Sequence, residues 1–432
     1  MGIRPVFYCI ILSVTLLVSC ARHSDTLVTN RLQELYDNER YFLFDELLRQ
    51  KEDKLTNQDR YYFEYIRASV FPDDNAFLRC NKKIQRSYYK SFSPQQKHIF
   101  HELNKDFCQR TGRYHQALDH ARIISGMQDL VLDSVSTADN NEDIRILEIL
   151  TDFPAAEVNK IKNMQLNMYW DSYFWHIPVK IKDKYYNLVF DTGSGTSLVS
   201  MSVARETGMT VLPADLDVLG STGKTMASRI GIADSFRLGD ILFRHAVFRV
   251  LEDSLLTFYD GEYTINGLFG ADMMSMMGEV TIFPDGRLII PKEPGDYTLR
   301  NLAFENMQTI MCIGYNSDSI PVKFDTGSGT SRFMAPMYQE YQEVVMQNGQ
   351  KTELVYGGIG GDQSFKKFNL YNLDSVEVEM NDTIVKLSNV IVHSSAIHVD
   401  PVEYYGVFGW DFLEKFASVT ISFASNSILF NR

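Results

Sequence analysis

The string Asp191-Thr192-Gly193-Ser194-Gly195-Thr196-Ser197 recurs letter for letter as Asp325-Thr326-Gly327-Ser328-Gly329-Thr330-Ser331, each time directly behind a phenylalanine, Phe190 or Phe324. The two leading aspartates stand 134 residues apart, a spacing suited to two small β-rich units in tandem. The likeness extends outward from the strings. Downstream of the first comes Gly267-Leu268-Phe269-Gly270-Ala271-Asp272, then Val280-Thr281-Ile282; downstream of the second comes Gly406-Val407-Phe408-Gly409-Trp410-Asp411, then Val419-Thr420-Ile421. Asp272 precedes Val280 by 8 residues and Asp411 precedes Val419 by 8, while the distance from string to second motif is 76 residues in one copy and 81 in the other. Each interval opens with a helix-like stretch, turns at glycines (Gly220 to Gly223, Gly357 to Gly361) and runs into alternating strands over 236–250 and 376–392. An ordered set of features that occurs twice predicts one two-carboxylate site assembled from two halves of a single chain.

Residues 25–154 have a different texture. Apolar residues fall at helical spacing, as in Leu32, Leu35, Tyr36, Phe42, Phe44, Leu47 and Leu48, with breaks at Phe71-Pro72-Asp73-Asp74 and Ser93-Pro94. Five to seven helices are expected, with helix–turn–helix units over 61–84 and 98–124. Gly112-Arg113-Tyr114 followed by Ala117 resembles the turn and second helix of a tetratricopeptide repeat. Such an array would serve as a spacer, as a docking surface for a protein partner, or as a cover over the cleft. Strand texture begins after about Leu166, and Pro291-Lys292-Glu293-Pro294-Gly295-Asp296 reads as the linker between the two copies. The expected order is therefore a signal segment over 1–19, a helical unit over 20–160, and β-rich units over 166–294 and 295–432.

The chain has 432 residues, 45% hydrophobic and 22% charged, enough to bury a sizeable core. Its net charge of −13 argues against nucleic acid as a partner, because an acidic field repels phosphate. Residues 6–18 form an apolar run, shorter than the roughly 20 residues of a membrane-spanning helix, and end in Leu17-Val18-Ser19-Cys20. That pattern resembles the lipidation signal of bacterial lipoproteins. It implies processing at Cys20, an acyl anchor there, and a place in the cell envelope. Cys20 is followed by Ala21 rather than aspartate, which favours the outer membrane. Of the remaining cysteines, Cys80 and Cys108 either pair or stay as buried thiols. No CxxC or paired-histidine spacing suggests a metal, and no cofactor is expected.

At the two strings the sequence resembles the aspartic peptidases, in which each lobe supplies an apolar-apolar-Asp-Thr-Gly-Ser loop and a later apolar-apolar-Gly motif beneath it. The short copies with Gly-x-Phe-Gly-x-Asp look closest to retropepsin-like proteins, fused into one chain as in the pepsin-like enzymes; the likeness spans about 166–432. It implies an α+β multidomain chain, with an all-α helical-hairpin array followed by a bilobal, mostly β aspartic-protease-like domain. By the same resemblance Asp191 and Asp325 form a catalytic dyad. Two carboxylates about 3 Å apart cannot both ionise cheaply, so the pair holds one proton, and one partner can activate a water while the other protonates the scissile carbonyl.

The surrounding residues acquire roles. Gly193 and Gly327 let backbone approach and donate amides to the carboxylates; Thr192 and Thr326 tie one loop to the other. Ser194 and Ser328 are expected to add hydroxyl hydrogen bonds to the outer carboxylate oxygens. Gly220 and Gly223 in one turn, and Gly358 and Gly360 in the other with the adjacent Tyr356, are candidate flap positions. Asp272 and Asp411 are read as structural, bonding to backbone at a helix start. The expected function is a membrane-anchored aspartic endopeptidase acting on a peptide or protein substrate. The alternatives are a protease-like lipoprotein that holds a partner without cutting it, and a regulatory peptidase restrained by its helices. A serine or cysteine hydrolase lacks its nucleophile elbow here, and phosphate-loop chemistry lacks Gly-Lys-Ser/Thr.

Overall fold

The computed structural model describes residues 23–127, 134–220, 222–305, 307–381, 383–397 and 404–432. The segment carrying Cys20, and Ser221 in the first glycine turn, lie outside the described residues.

Seven α-helices come first: α1 (Thr26–Asp37), α2 (Tyr41–Lys51), α3 (Asn57–Val70), α4 (Asp74–Ser87), α5 (Pro94–Arg110), α6 (Tyr114–Ser125) and α7 (Ser134–Leu150). The breaks in the sequence are their caps. The Asp73 carboxylate accepts from Ala76 N–H to start α4, and Ser93 with Gln96 forms a reciprocal capping box ahead of Pro94 in α5. Leu32, Leu35, Phe44, Tyr62, Tyr65, Phe77 and Phe100 meet in one apolar cluster. That cluster continues into Leu216, Ile230 and Ile232 of the first β-rich half and Ala303, Ile310 and Tyr404 of the second. Polar contacts follow the same seam: Arg40 donates to Tyr405 Oη at 2.9 Å and Asn426 to the Pro72 carbonyl at 3.0 Å. Cys80 and Cys108 are buried free thiols, and burial pushes the Cys80 thiol up to about 11.

The remainder is mostly β. Strand pairing starts at Glu157, inside the stretch expected to be helical, because Glu157–Asn159 pairs antiparallel with the first part of the strand Ile241–Leu251. In the first sheet Lys184–Asp191 runs parallel to Gly267–Gly270, which pairs antiparallel with Leu198–Ser200, which runs parallel to Ile241–Leu251. In the second, Asp318–Phe324 runs parallel to Gly406–Phe408, which pairs antiparallel with Arg332–Phe333, which runs parallel to Thr383–His393. Each sheet then curls back on itself through a long strand, Thr225–Leu238 in one and Lys366–Met380 in the other, giving two barrel-like sheets with the same pairing order.

A five-stranded sheet joins the halves. Glu279–Ile282 pairs with Ser418–Ser422, flanked by Arg287–Ile290, Ser427–Asn431 and Met164–Asn167. The last of these strands precedes residue 166, so the expected boundary cuts through it. Phe190, Phe269, Phe324 and Phe408 are all fully buried in one cluster that spans both halves, directly beneath the two strings.

Candidate active site

Each string begins where a buried strand ends, and its bonds hold a tight loop beside the partner motif. Ala271 N–H donates to Ser194 O and Trp410 N–H to Ser328 O, both at 2.8 Å. The last serine of each string is the pin. Ser197 Oγ donates to Asp272 Oδ1 at 2.6 Å and accepts from Gly270 N–H at 2.9 Å; Ser331 Oγ donates to Asp411 Oδ1 at 2.6 Å and accepts from Gly409 N–H at 3.1 Å. Asp272 also accepts from Ser197 N–H at 2.9 Å and Met273 N–H at 2.7 Å. Burial pushes the Asp272 carboxyl up to about 6 against these hydrogen bonds. Both aspartates hold a loop to a short helix.

The two loops are laced together across 134 residues. Thr192 N–H donates to Thr326 Oγ1 and Thr326 N–H to Thr192 Oγ1, both at 3.0 Å, and the two hydroxyls donate on to Phe324 O and Phe190 O, both at 2.8 Å. Both threonines are buried, so these four bonds work in a low-dielectric setting. They bring the Asp191 and Asp325 carboxyls into a hydrogen bond with each other. Loss of surrounding water, and then the neighbouring Asp325 charge, raise the Asp191 carboxyl well above the ordinary range.

Glycine makes this approach possible. A β-carbon on Gly193 would stand 2.4 Å from Asp325 Cγ, and one on Gly327 2.6 Å from Asp191 Cγ. Their amides serve as well: Gly193 N–H donates to Asp191 Oδ1 and Gly327 N–H to Asp325 Oδ1, both at 2.9 Å. The hydroxyls of Ser194 and Ser328 correct the sequence reading. They donate away from the carboxylates, to Thr196 O at 2.8 Å and Thr330 O at 2.9 Å, because the turn leaves those carbonyls within reach two residues on. Ser194 contributes its backbone instead, donating N–H to Asp191 Oδ1 at 3.0 Å.

The glycine turns sit at the tips of two hairpins, Thr210–Leu219 with Thr225–Leu238 and Gly349–Tyr356 with Lys366–Met380. The tips touch. Lys224 Nζ donates to Gln363 Oε1 at 2.6 Å, and Gly220 lies so close to the Ile359 carbonyl that an added β-carbon would be 2.6 Å from its oxygen. The second tip also latches onto the first half: Asp362 accepts from Tyr259 N–H at 2.6 Å and Asp260 N–H at 2.9 Å, and Gly360 N–H donates to Leu255 O at 2.9 Å. Gly361, at φ +62°, packs against the Ser254 and Thr257 carbonyls where no side chain fits. Gly358 N–H donates to Ser364 Oγ at 3.0 Å, and Gly223 closes the first turn at φ +78°. Tyr356 stacks on Phe368 at 4.6 Å and shares a 2.9 Å hydrogen bond with His393 Nε2.

Sequence reasoning passed over Ser197 and Ser331, although the identity of all seven string residues and the matched Asp272 and Asp411 pointed to them. It also passed over Arg332 and Asp362, which have no counterpart in the other copy.

A family model described as aspartyl protease matches residues 177–273, the stretch holding the first string and Gly267 to Asp272. No curated protein matches the chain. Among solved structures, the crystal structure of aspartic proteinase from Irpex lacteus aligns at a TM-score of 0.39 and 11% identity, covering 62% of this chain and 96% of that one. The crystal structure of Basic 7S globulin from soybean aligns at 0.38 and 13% identity, covering 63% and 95%. The family match supports an aspartic-peptidase-like character for the stretch that carries Asp191.

Proposed function

We propose that the protein is an aspartic endopeptidase with two lobes, one around each string, and that Asp191 and Asp325 are its catalytic pair. The observation that carries this reading is the lacing of the two loops through Thr192 and Thr326, which sets the Asp191 and Asp325 carboxyls against each other with room only for glycine beside them; lost water and the Asp325 charge accordingly raise the proton affinity of Asp191. In the resting pair one proton is shared, and the raised carboxyl, Asp191, is its holder. A water between them loses a proton to Asp325 as its oxygen attacks the scissile carbonyl carbon, while Asp191 protonates the carbonyl oxygen. Collapse of the tetrahedral species returns the hydroxyl proton to Asp191 and delivers the Asp325 proton to the departing amine, so the pair ends as it began. The touching hairpin tips act as two flaps, and a peptide enters as an extended strand when they part. The same reading anchors the chain to the bacterial envelope through lipidated Cys20, supported by the Leu17-Val18-Ser19-Cys20 pattern.

The test is cleavage of a diverse peptide mixture from about pH 3 to 8 by the chain and by Asp191→Asn and Asp325→Asn. Loss of all cutting in each variant, with a bell-shaped profile in the parent chain, is the expected result. Cutting that survives either substitution would sink the proposal.

A further inference from the structure

The repeat breaks one residue after each string. Leu198 follows the first copy and is buried with Leu251, Leu256 and Ile265, whereas Arg332 follows the second. Both residues open the short strand that pairs with Gly-x-Phe-Gly, so one half presents a guanidinium where the other presents an apolar side chain.

Among the described residues, the setting of Arg332 is that of a cation without its anion. Nη1 donates to Ser328 Oγ at 2.8 Å, inside the loop that carries Asp325. The guanidinium carbon lies 5.9 Å from the centre of the Tyr356 ring, at the foot of the second hairpin tip. Among the described residues, Nε has no hydrogen-bond partner and the guanidinium forms no ion pair. His393, 2% exposed and bonded to Tyr356, brings no charge of its own: burial and the Arg332 charge hold its imidazole down to about 4. A half-buried guanidinium met, among the described residues, by a hydroxyl and neutral rings, with donors to spare, is matched to a carboxylate.

We propose that Arg332, with Ser328 and Tyr356 beside it, forms a subsite for a carboxylate side chain of the peptide, so that the protein selects a glutamate or aspartate close to the bond it cuts. This rests on the peptidase reading of the same site and adds its substrate class. The asymmetry also gives the cleft a direction, since the first half holds leucine at the matching place.

The experiment compares the full chain with Arg332→Leu, which copies Leu198 into the second half and so suits the local packing, and with Arg332→Glu. Cut sites in a diverse peptide mixture are read by mass spectrometry, followed by kcat/KM for peptide pairs that differ only by Glu or Gln at the enriched position. The expected result is a preference for Glu of about tenfold to hundredfold, as for a charge-assisted hydrogen bond in a partly dry site. Arg332→Leu should lose that preference by slowing on the Glu peptide alone, and Arg332→Glu should favour Lys. Where the parent chain cuts, absence of acidic enrichment among its cut sites, or survival of that enrichment in Arg332→Leu, overturns the proposal. The same labelled peptides are titrated onto Asp191→Asn with and without Arg332→Leu. A Glu preference in affinity that depends on Arg332 upholds the subsite even if nothing is ever cut; equal affinities, or no binding, overturn it.

Discussion

A missing methyl group decides the chemistry at the residue scale. Gly193→Ala or Gly327→Ala puts a carbon where the opposite carboxyl stands, and the carboxyls must separate. Cleavage is expected to fall at least about a hundredfold, as for a catalytic group displaced by about 1 Å, with circular dichroism unchanged. Asp191 carries a second expectation, in stability. In the unfolded chain its carboxyl ionises near 3.8, and in the fold its proton is held to well higher pH. Above about that pH the folded state therefore binds the proton that the unfolded state releases, so this group's contribution to stability declines as pH rises until Asp191 ionises in the fold too. Asp272, raised to about 6, acts in the same direction. Asp191→Asn removes the first of these, so its unfolding midpoint in urea should match the parent's at the acid end of the range and exceed it at pH 7. A midpoint at pH 7 no higher than the parent's would contradict the assignment of the held proton. What sequence could not supply here is orientation. Ser194 and Ser328 were read as carboxylate donors by residue type, and only the turn geometry reveals the carbonyls that capture them.

At the scale of elements, duplication in the sequence was legible as duplication of strand order, because a strand pair that must deliver Asp, Thr and Gly to one point tolerates few arrangements. The hairpins were legible too, by their glycine turns and alternating flanks. Their meeting was not, since it depends on Asp362 reaching backbone amides about a hundred residues away in the chain, a contact that no local pattern encodes. Asp362→Ala leaves the Tyr259 and Asp260 amides, both on residues at positive φ, without their acceptor. The second tip should then be clipped several-fold faster by an added protease, and KM should rise more than kcat falls. Unchanged clipping would show that Gly360 and Gln363 hold the tip unaided. Helix boundaries were readable to within a few residues because Asp73 and the Ser93-Pro94 pair are caps whose chemistry is local.

The whole molecule is tied from helices to both sheets. Glu142 on α7 accepts from Asp217 N–H at 3.1 Å on the first hairpin and pairs with Arg249 at 3.1 Å, so a helix of the N-terminal region grips a strand of the proposed flap. Glu142→Ala leaves the partly buried Arg249 with Ser228 Oγ at 3.4 Å as its remaining partner, and a loss of about 1–3 kcal/mol is expected on unfolding in urea, with faster amide exchange along residues 210–219. A site built within one polypeptide should also ignore dilution: kcat/KM is expected to be constant from about nanomolar to micromolar enzyme, unlike that of a site shared between separable chains. The helical region was legible as helical, but its shared core with the sheets was not, because Leu216, Ile230 and Ile310 look from sequence like any other strand residues.

The joining sheet has one more effect, and it concerns time. A ribosome makes Asp191 long before Asp325, and the strand Gly406–Phe408 beside Asp325 later still. The strands Ser418–Ser422 and Ser427–Asn431 that clasp the two halves come after that. Until Asp325 exists, Asp191 has no partner, and until the last strands exist nothing clasps the two halves around the pair. On the proposed peptidase reading, such a chain can be made without cutting itself or its neighbours, and it gains the proposed activity only when its order of synthesis is complete.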